Sequence, residues 1–205
     1  MWDVAFEPDK SDVVATCGGR YLCVINVESG DLMLKYAHKN KNQEFYCLSW
    51  SQLSFGNILV TGSSLGEIRF YDPNHQVSFY SWKYKKGIAI NAVKFHDENP
   101  KLLFTASKDC VVNLWDIGDP EPGDYFDRAK MTNLRRFQSH RQLQDIYSLA
   151  FVKESSWILI GTAEGLFGGH IPDGPKKNSQ SRENMIEFRH ERNSNIYSGL
   201  SSYLF

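Results

Sequence analysis

No apolar run in this sequence approaches the roughly 20 residues that a membrane-spanning helix needs, so no membrane partner is expected. The opening MWDVAFEPDK has neither the basic start nor the apolar core of a secretory signal, and secretion is not indicated. Charge of one sign is missing as well: a formal net charge of -1 gives no global pull toward nucleic acid or an anionic surface. The four cysteines, Cys17, Cys23, Cys47 and Cys110, form no CxxC pair, and the six histidines are not spaced around them. They read as small buried apolar residues in a reducing compartment, and neither a metal nor another cofactor is expected. The glycine-rich stretch GTAEGLFGGH (161–170) lacks the following Lys-Ser/Thr of a phosphate-binding loop. His96 and Asp97 together read as a structural corner. No nucleophile stands beside a base and no carboxylates pair in phase, so the chain is not expected to be an enzyme.

What the sequence does have is short apolar runs at a fixed spacing, within a composition of 41% hydrophobic and 14% aromatic residues that can bury a core. The runs VAF, LSW, VKF and LAF end at Phe6, Trp50, Phe95 and Phe151, separated by 44, 45 and 56 residues. Second runs repeat in phase as VVATCGG, ILVTGSS, LLFTASK and WILIGTA, with Thr16, Thr61 and Thr105 in the same place. Third runs follow as YLCVINV, EIRFYDP, VVNLWDI and GLFGGHI, and weaker fourth runs as DLMLKY, VSFYSW, LRRFQ and MIEFRH. Four short strands every 40 to 45 residues, with turn residues between them, are the signature of a β-propeller blade. The spacing predicts an all-β chain with blades over about 2–36, 45–82, 89–138 and 146–190, and insertion loops near 118–130 and 172–182. A fifth unit begins in IYSGLSSYLF.

The stretch LLFTASKDCVVNLWDI resembles the WD-repeat consensus, with Asp109 at the tight corner and Trp115-Asp116 closing the third strand. In that family a corner Asp, a Ser or Thr, the Trp and an upstream His form a hydrogen-bonded ladder. Ser107, Asp109 and Trp115 match it, while Lys86 stands at the His position and leaves the ladder incomplete. These residues are expected to be structural. WD propellers usually have seven blades, which at this period need roughly 300 residues. Four blades and the start of a fifth therefore form a partial WD-repeat propeller, expected to be a fragment, a truncated gene model, or a half completed by a partner.

VAFEP, VATCGGRYLCVINVESG, EFYCLSW and LLFTASKDCVVNLWDIGDP together resemble the WD domain of the leucine-rich-repeat and WD-repeat proteins associated with the origin recognition complex. EFYCLSW and GIAINAVKFHDENPKLLFTASKDCVVNLWDI also resemble the Polycomb subunits called embryonic ectoderm development. The likeness covers about residues 2 to 119 and thins beyond. Both families read trimethylated lysine on histone tails. The resemblance therefore implies a nuclear, chromatin-associated role, with methylated histone tails and origin recognition complex subunits or other chromatin proteins as partners.

The residues offer their own pointer. Four positions before each inner-strand aromatic stand Trp2, Tyr46, Asn91 and Tyr147, where the first strand of a blade enters from the axial mouth. A trimethylammonium group donates no hydrogen bond, but its charge is attracted to the faces of aromatic rings. Rings converging from neighbouring blades supply that geometry. The Polycomb likeness implies that positions matching Trp2 and Tyr46 are cage residues and that the one matching Asn91 lies beside the tail; Tyr147 rests on phase alone. The competing reading of Trp2 and Tyr46 is packing between blades, and Phe45 is expected to pack there. The basic segments HKNKN, KYKKG and PDGPKKNSQSR read as solvated loop charge, with weak nucleosomal DNA contact as the other reading. The favoured function is a scaffold that reads trimethylated lysine and links heterochromatin to the origin recognition complex in DNA replication. The alternatives are a Polycomb-type accessory subunit of a histone methyltransferase and a plain assembly scaffold with no methyl-lysine site.

Overall fold

The computed structural model describes residues 2–53, 56–118, 132–138, 145–152, 156–163, 165–171, 182–184 and 186–188. Every regular element among them is a strand. Blade one comprises β1 (Asp3–Phe6), β2 (Val13–Gly18), β3 (Tyr21–Asn26) and β4 (Leu32–Ala37). Blade two comprises β5 (Phe45–Leu53), β6 (Gly56–Ser63), β7 (Glu67–Asp72) and β8 (Val77–Lys83). Blade three comprises β9 (Ile90–Phe95), β10 (Leu102–Ser107), β11 (Val111–Asp116) and β12 (Thr132–Gln138). Blade four has β13 (Ile146–Phe151), β14 (Trp157–Thr162), β15 (Leu166–His170) and, after the short β16 (Arg182–Asn184), β17 (Ile186–Phe188). Each blade is an antiparallel meander in chain order, because alternating runs joined by tight corners pair with their immediate neighbours.

β16 departs from the repeat. It leaves blade four and pairs in parallel with β12, as a fifth strand on blade three. Its Arg-Glu-Asn sequence carries no alternation to announce a strand; it covers the open edge of β12, whose backbone groups would otherwise lack partners. Most of the two expected insertion loops, and the run at 196–205, lie outside the described residues.

The core lies between the sheets. Leu22, Val24 and Leu34 of blade one pack on Phe45, Leu48, Trp50 and Tyr71 of blade two. Val60, Ile68 and Phe70 then meet Ile90, Val93, Phe95 and Trp115 of blade three. Phe104, Val112 and Phe137 meet Ile146, Ile158 and Phe167 of blade four. Hydrogen bonds cross the same interfaces: Trp50 Nε1–H donates to Ala5 O at 3.1 Å, Leu48 N–H to Asp3 Oδ2 at 2.8 Å, and Phe95 N–H to Ser49 Oγ at 3.2 Å.

Polar corners tie each blade to the loop that precedes it. In blade three Ser107 Oγ–H donates to Asp109 Oδ1 at 2.5 Å, and Trp115 Nε1–H donates to Thr105 Oγ1 at 2.9 Å, not to Ser107. The ladder, expected to be incomplete with Lys86 at its His position, is closed by Lys85, at 2.5 Å from Asp109, with the Tyr84 hydroxyl at 3.3 Å. Tyr84 N–H donates to Gly66 O at 3.0 Å, and this anchor holds 84 and 85 against the corner.

Blade two has Leu65 and Gly66 at the corresponding corner and builds a different tie. Gln43 donates through Nε2 to Ser63 Oγ at 3.1 Å and to Glu67, and Arg69 donates to Glu67 Oε1 at 2.5 Å. His38 lies 3% exposed beside this group and stacks on Phe45 at 3.9 Å between ring centroids. The basic reading of HKNKN as solvated charge therefore fails for His38, which the stack and the Arg20 backbone, accepting its N–H at 3.0 Å, draw inside. Burial pushes its pKa down to about 4, with Glu67 opposing and Arg69 and Arg20 adding to the fall.

Two outcomes are expected. As pH falls below about 6.5 the unfolded chain takes up a proton that folded His38 refuses, so stability is lost between pH 6.5 and about 4. His38→Gln should flatten that limb by on the order of 2–3 kcal/mol in denaturant titrations at stepped pH. A Cβ on Gly62 would meet Ile90 Cγ2 at 2.6 Å and Cys47 Sγ at 2.7 Å. Gly62→Ala should therefore destabilise the fold by about 1–3 kcal/mol, visible as a lowered thermal midpoint.

Candidate functional site

The inner strands β1, β5, β9 and β13 stand side by side around one cavity of about 720 Å³. All four phase positions, Trp2, Tyr46, Asn91 and Tyr147, line it. Three of them arrive by the same device. β5 pairs Phe45 with Ser63 and Cys47 with Gly62, leaving Tyr46 as an extra residue. β9 likewise skips Asn91 between Ile90 and Ala92, and β13 skips Tyr147 between Ile146 and Ser148. A β-bulge frees one residue from the ladder and re-aims its side chain. Here it also places Phe45 with Leu48, Ile90 with Val93, and Ile146 with Leu149 on one face of each strand, where they enter a common core.

That spacing of three, in strands that elsewhere alternate by two, is the signal that sequence reasoning passed over. Counting back four from the final aromatic picks out four positions that line the cavity, without revealing the bulge that presents three of them. Phe45, expected between blades, is fully buried there.

Trp2 precedes β1, and its N–H donates to Cys17 O at 2.8 Å, which extends blade one to the mouth. Its side chain is 66% exposed. The Trp2 and Tyr46 rings meet edge to face, with centroids 6.2 Å apart and planes at 66°. Two steeply inclined rings border the same space, a geometry that attracts a cation whose own surface is apolar. Asn91, half-buried, follows on blade three and offers both a donor and an acceptor. Tyr147, 60% exposed on blade four, has no ring contact among the described residues. The structure thus brings Trp2 and Tyr46 together, and sets Tyr147 apart from them.

Beneath the rings, both oxygens of Asp3 are engaged by backbone: Oδ1 by Val4 N–H at 2.9 Å and Oδ2 by Leu48 N–H at 2.8 Å. Burial, with Asp3 second, pushes the Cys17 thiol up to about 12, and burial also holds the Cys47 thiol well above its usual value. Both stay protonated at neutral pH, which leaves them poor nucleophiles. Among the described residues no three His, Cys, Asp or Glu side chains are grouped to hold a metal ion. The ladder residues Ser107 and Asp109 lie at the β10–β11 corner and Trp115 near the far end of β11, and none of them lines the cavity. His96 caps its turn, Nδ1 accepting from Glu98 and Asn99 N–H at 3.1 and 3.2 Å.

Comparison with known proteins places this arrangement. The chain is 30% identical over 205 residues to leucine-rich repeat and WD repeat-containing protein 1 of Danio rerio, across 91% of its own length and 26% of that protein. The Xenopus tropicalis counterpart is 28% identical, matching the whole chain and 31% of its own length. The rice Polycomb group protein FIE1 is 32% identical over 52% of the chain and 23% of its own length. The chain therefore spans under a third of these relatives. In fold it is similar, with a TM-score of 0.71 at 15% identity, to a chain in the crystal structure of an active Polycomb repressive complex 2 in the basal state, covering 90% of this chain and 40% of that one. The family model for the WD domain of leucine-rich repeat and WD repeat-containing protein 1 matches residues 1–186, so this chain belongs to that family.

Proposed function

We propose that this chain serves a chromatin-associated WD scaffold whose axial mouth reads a trimethylated lysine on a histone tail. The observation that carries this reading is the Trp2–Tyr46 pair, edge to face and lining the cavity. Phe45, which packs between blades, is fully buried and does not line it. A cation shared between two such faces gains about 1–2 kcal/mol over an unmethylated ammonium, which keeps its hydration shell.

The surrounding functions follow from the resemblance rather than from the cavity. In the favoured reading the scaffold acts in the nucleus and connects repressive chromatin to origin recognition complex subunits. The match to a Polycomb group protein supports the second reading, an accessory subunit of a histone methyltransferase. Both use the same mouth. The plain scaffold, with no methyl-lysine site, does not.

Titration of the protein with unmodified and trimethylated histone-tail peptides separates these. The methylated peptide should bind more tightly. Trp2→Ala and Tyr46→Ala should each weaken it about five- to thirtyfold and remove the preference, with folding checked by circular dichroism. Equal binding of both peptides by a well-folded protein would leave the plain scaffold.

A further inference from the structure

Tyr147 shares its phase and its cavity with the pair on blades one and two, and its bulge with Tyr46, yet touches neither ring. Between them lies blade three, with Asn91 at the same phase. Cα atoms of neighbouring inner strands come within 8 Å, so two blade steps separate the Tyr46 and Tyr147 backbones by on the order of 15 Å. A cation held between Trp2 and Tyr46 lies within about 6 Å of their ring centres, on the far side of Asn91 from the Tyr147 backbone. An extended peptide advances about 3.3 Å per residue, so the residue over Tyr147 falls about four to five positions from the one between the rings.

We propose that Tyr147 forms a second subsite, which takes an unmethylated basic side chain of the same tail. This rests on reading the mouth as a tail-binding site. The ring is 60% exposed and has no aromatic partner among the described residues, which leaves its face available to a guanidinium or ammonium. Asn91 lies on the path between the subsites and suits the peptide backbone, since its amide both donates and accepts. Local packing favours this pose. Ile146 and Leu149 anchor the strand in the core on either side of the bulge, so Tyr147 is held outward by its neighbours. Gly161 opposite leaves room for Ser148, whose Oγ would lie 2.3 Å from a Cβ there.

The test uses the same methylated and unmethylated tail peptides, each in a long form and in a form whose basic residues four and five positions from the lysine are alanine. Tyr147→Ala should weaken the long methylated and unmethylated peptides by the same factor, about two- to fivefold, and leave their ratio unchanged. Tyr147→Phe should retain binding, and the alanine-bearing peptides should be insensitive to Tyr147→Ala. Loss of the methylation preference in Tyr147→Ala would make Tyr147 part of the cage and overturn the proposal. So would unchanged affinity. If the wild type shows no methylation preference but Tyr147→Ala still lowers affinity for the long peptides, the reader function fails and the second subsite stands. If the wild type binds neither long peptide, both fall.

Discussion

The inner strands β5 and β9 each have two large side chains that the sheet before them covers, and the arrangement of the blades follows from that packing. Leu48 and Trp50 pack against blade one, and Val93 and Phe95 against blade two. Burying one such residue stabilises by roughly 1.5–3 kcal/mol. A cross-blade hydrogen bond such as Trp50 to Ala5 contributes only about 1 kcal/mol net. Packing therefore holds the blades together, while the hydrogen bonds fix the height at which one sheet sits on the next. Val4 and Phe6 occupy the same phase in blade one and are 48% and 59% exposed, so the face that is core elsewhere is surface there.

The mouth inherits its form from this packing. In a strand that alternated strictly, Phe45 and Leu48 would fall on opposite faces and Tyr46 would share the inter-blade face of Leu48. The bulge resolves that conflict by inserting one residue, and the inserted residue has only the axis to face. The same solution appears in β9 and β13, so what differs from blade to blade is the side chain offered: phenol, amide, phenol. The binding surface is a by-product of core registration, specialised by one residue per blade.

This explains what was legible in the sequence. The sheets were, because Thr16, Thr61 and Thr105 and the aromatic ends of the inner strands recur at nearly one period, and period-two patterns mark strands without reference to anything distant. The four positions that line the cavity were, since a fixed count back from the aromatic that ends each inner strand lands at the same place in every blade. The ladder at Asp109 read as incomplete, although Lys85 and Tyr84 close it, because the turn through Tyr84 is set by a backbone bond to Gly66 and no side-chain pattern records that. His38 read as solvated charge among lysines, although a stack on Phe45 and a buried carboxylate on another blade make it an interior group. β16 was missed because its pairing depends on an open edge in a different blade. In each case the missing information was tertiary.

Among the described residues, the substantial packing runs between successive sheets. Such a stack behaves as a row of coupled units, whose cohesion is a sum of unit and nearest-neighbour terms. Opening need not be global: one sheet can part from its neighbour while the others keep their contacts. Trp2 belongs to blade one and Tyr46 to blade two. The space between their rings therefore lies on a seam between two units, and a ligand gripped by both rings would also act as a clasp on the fold.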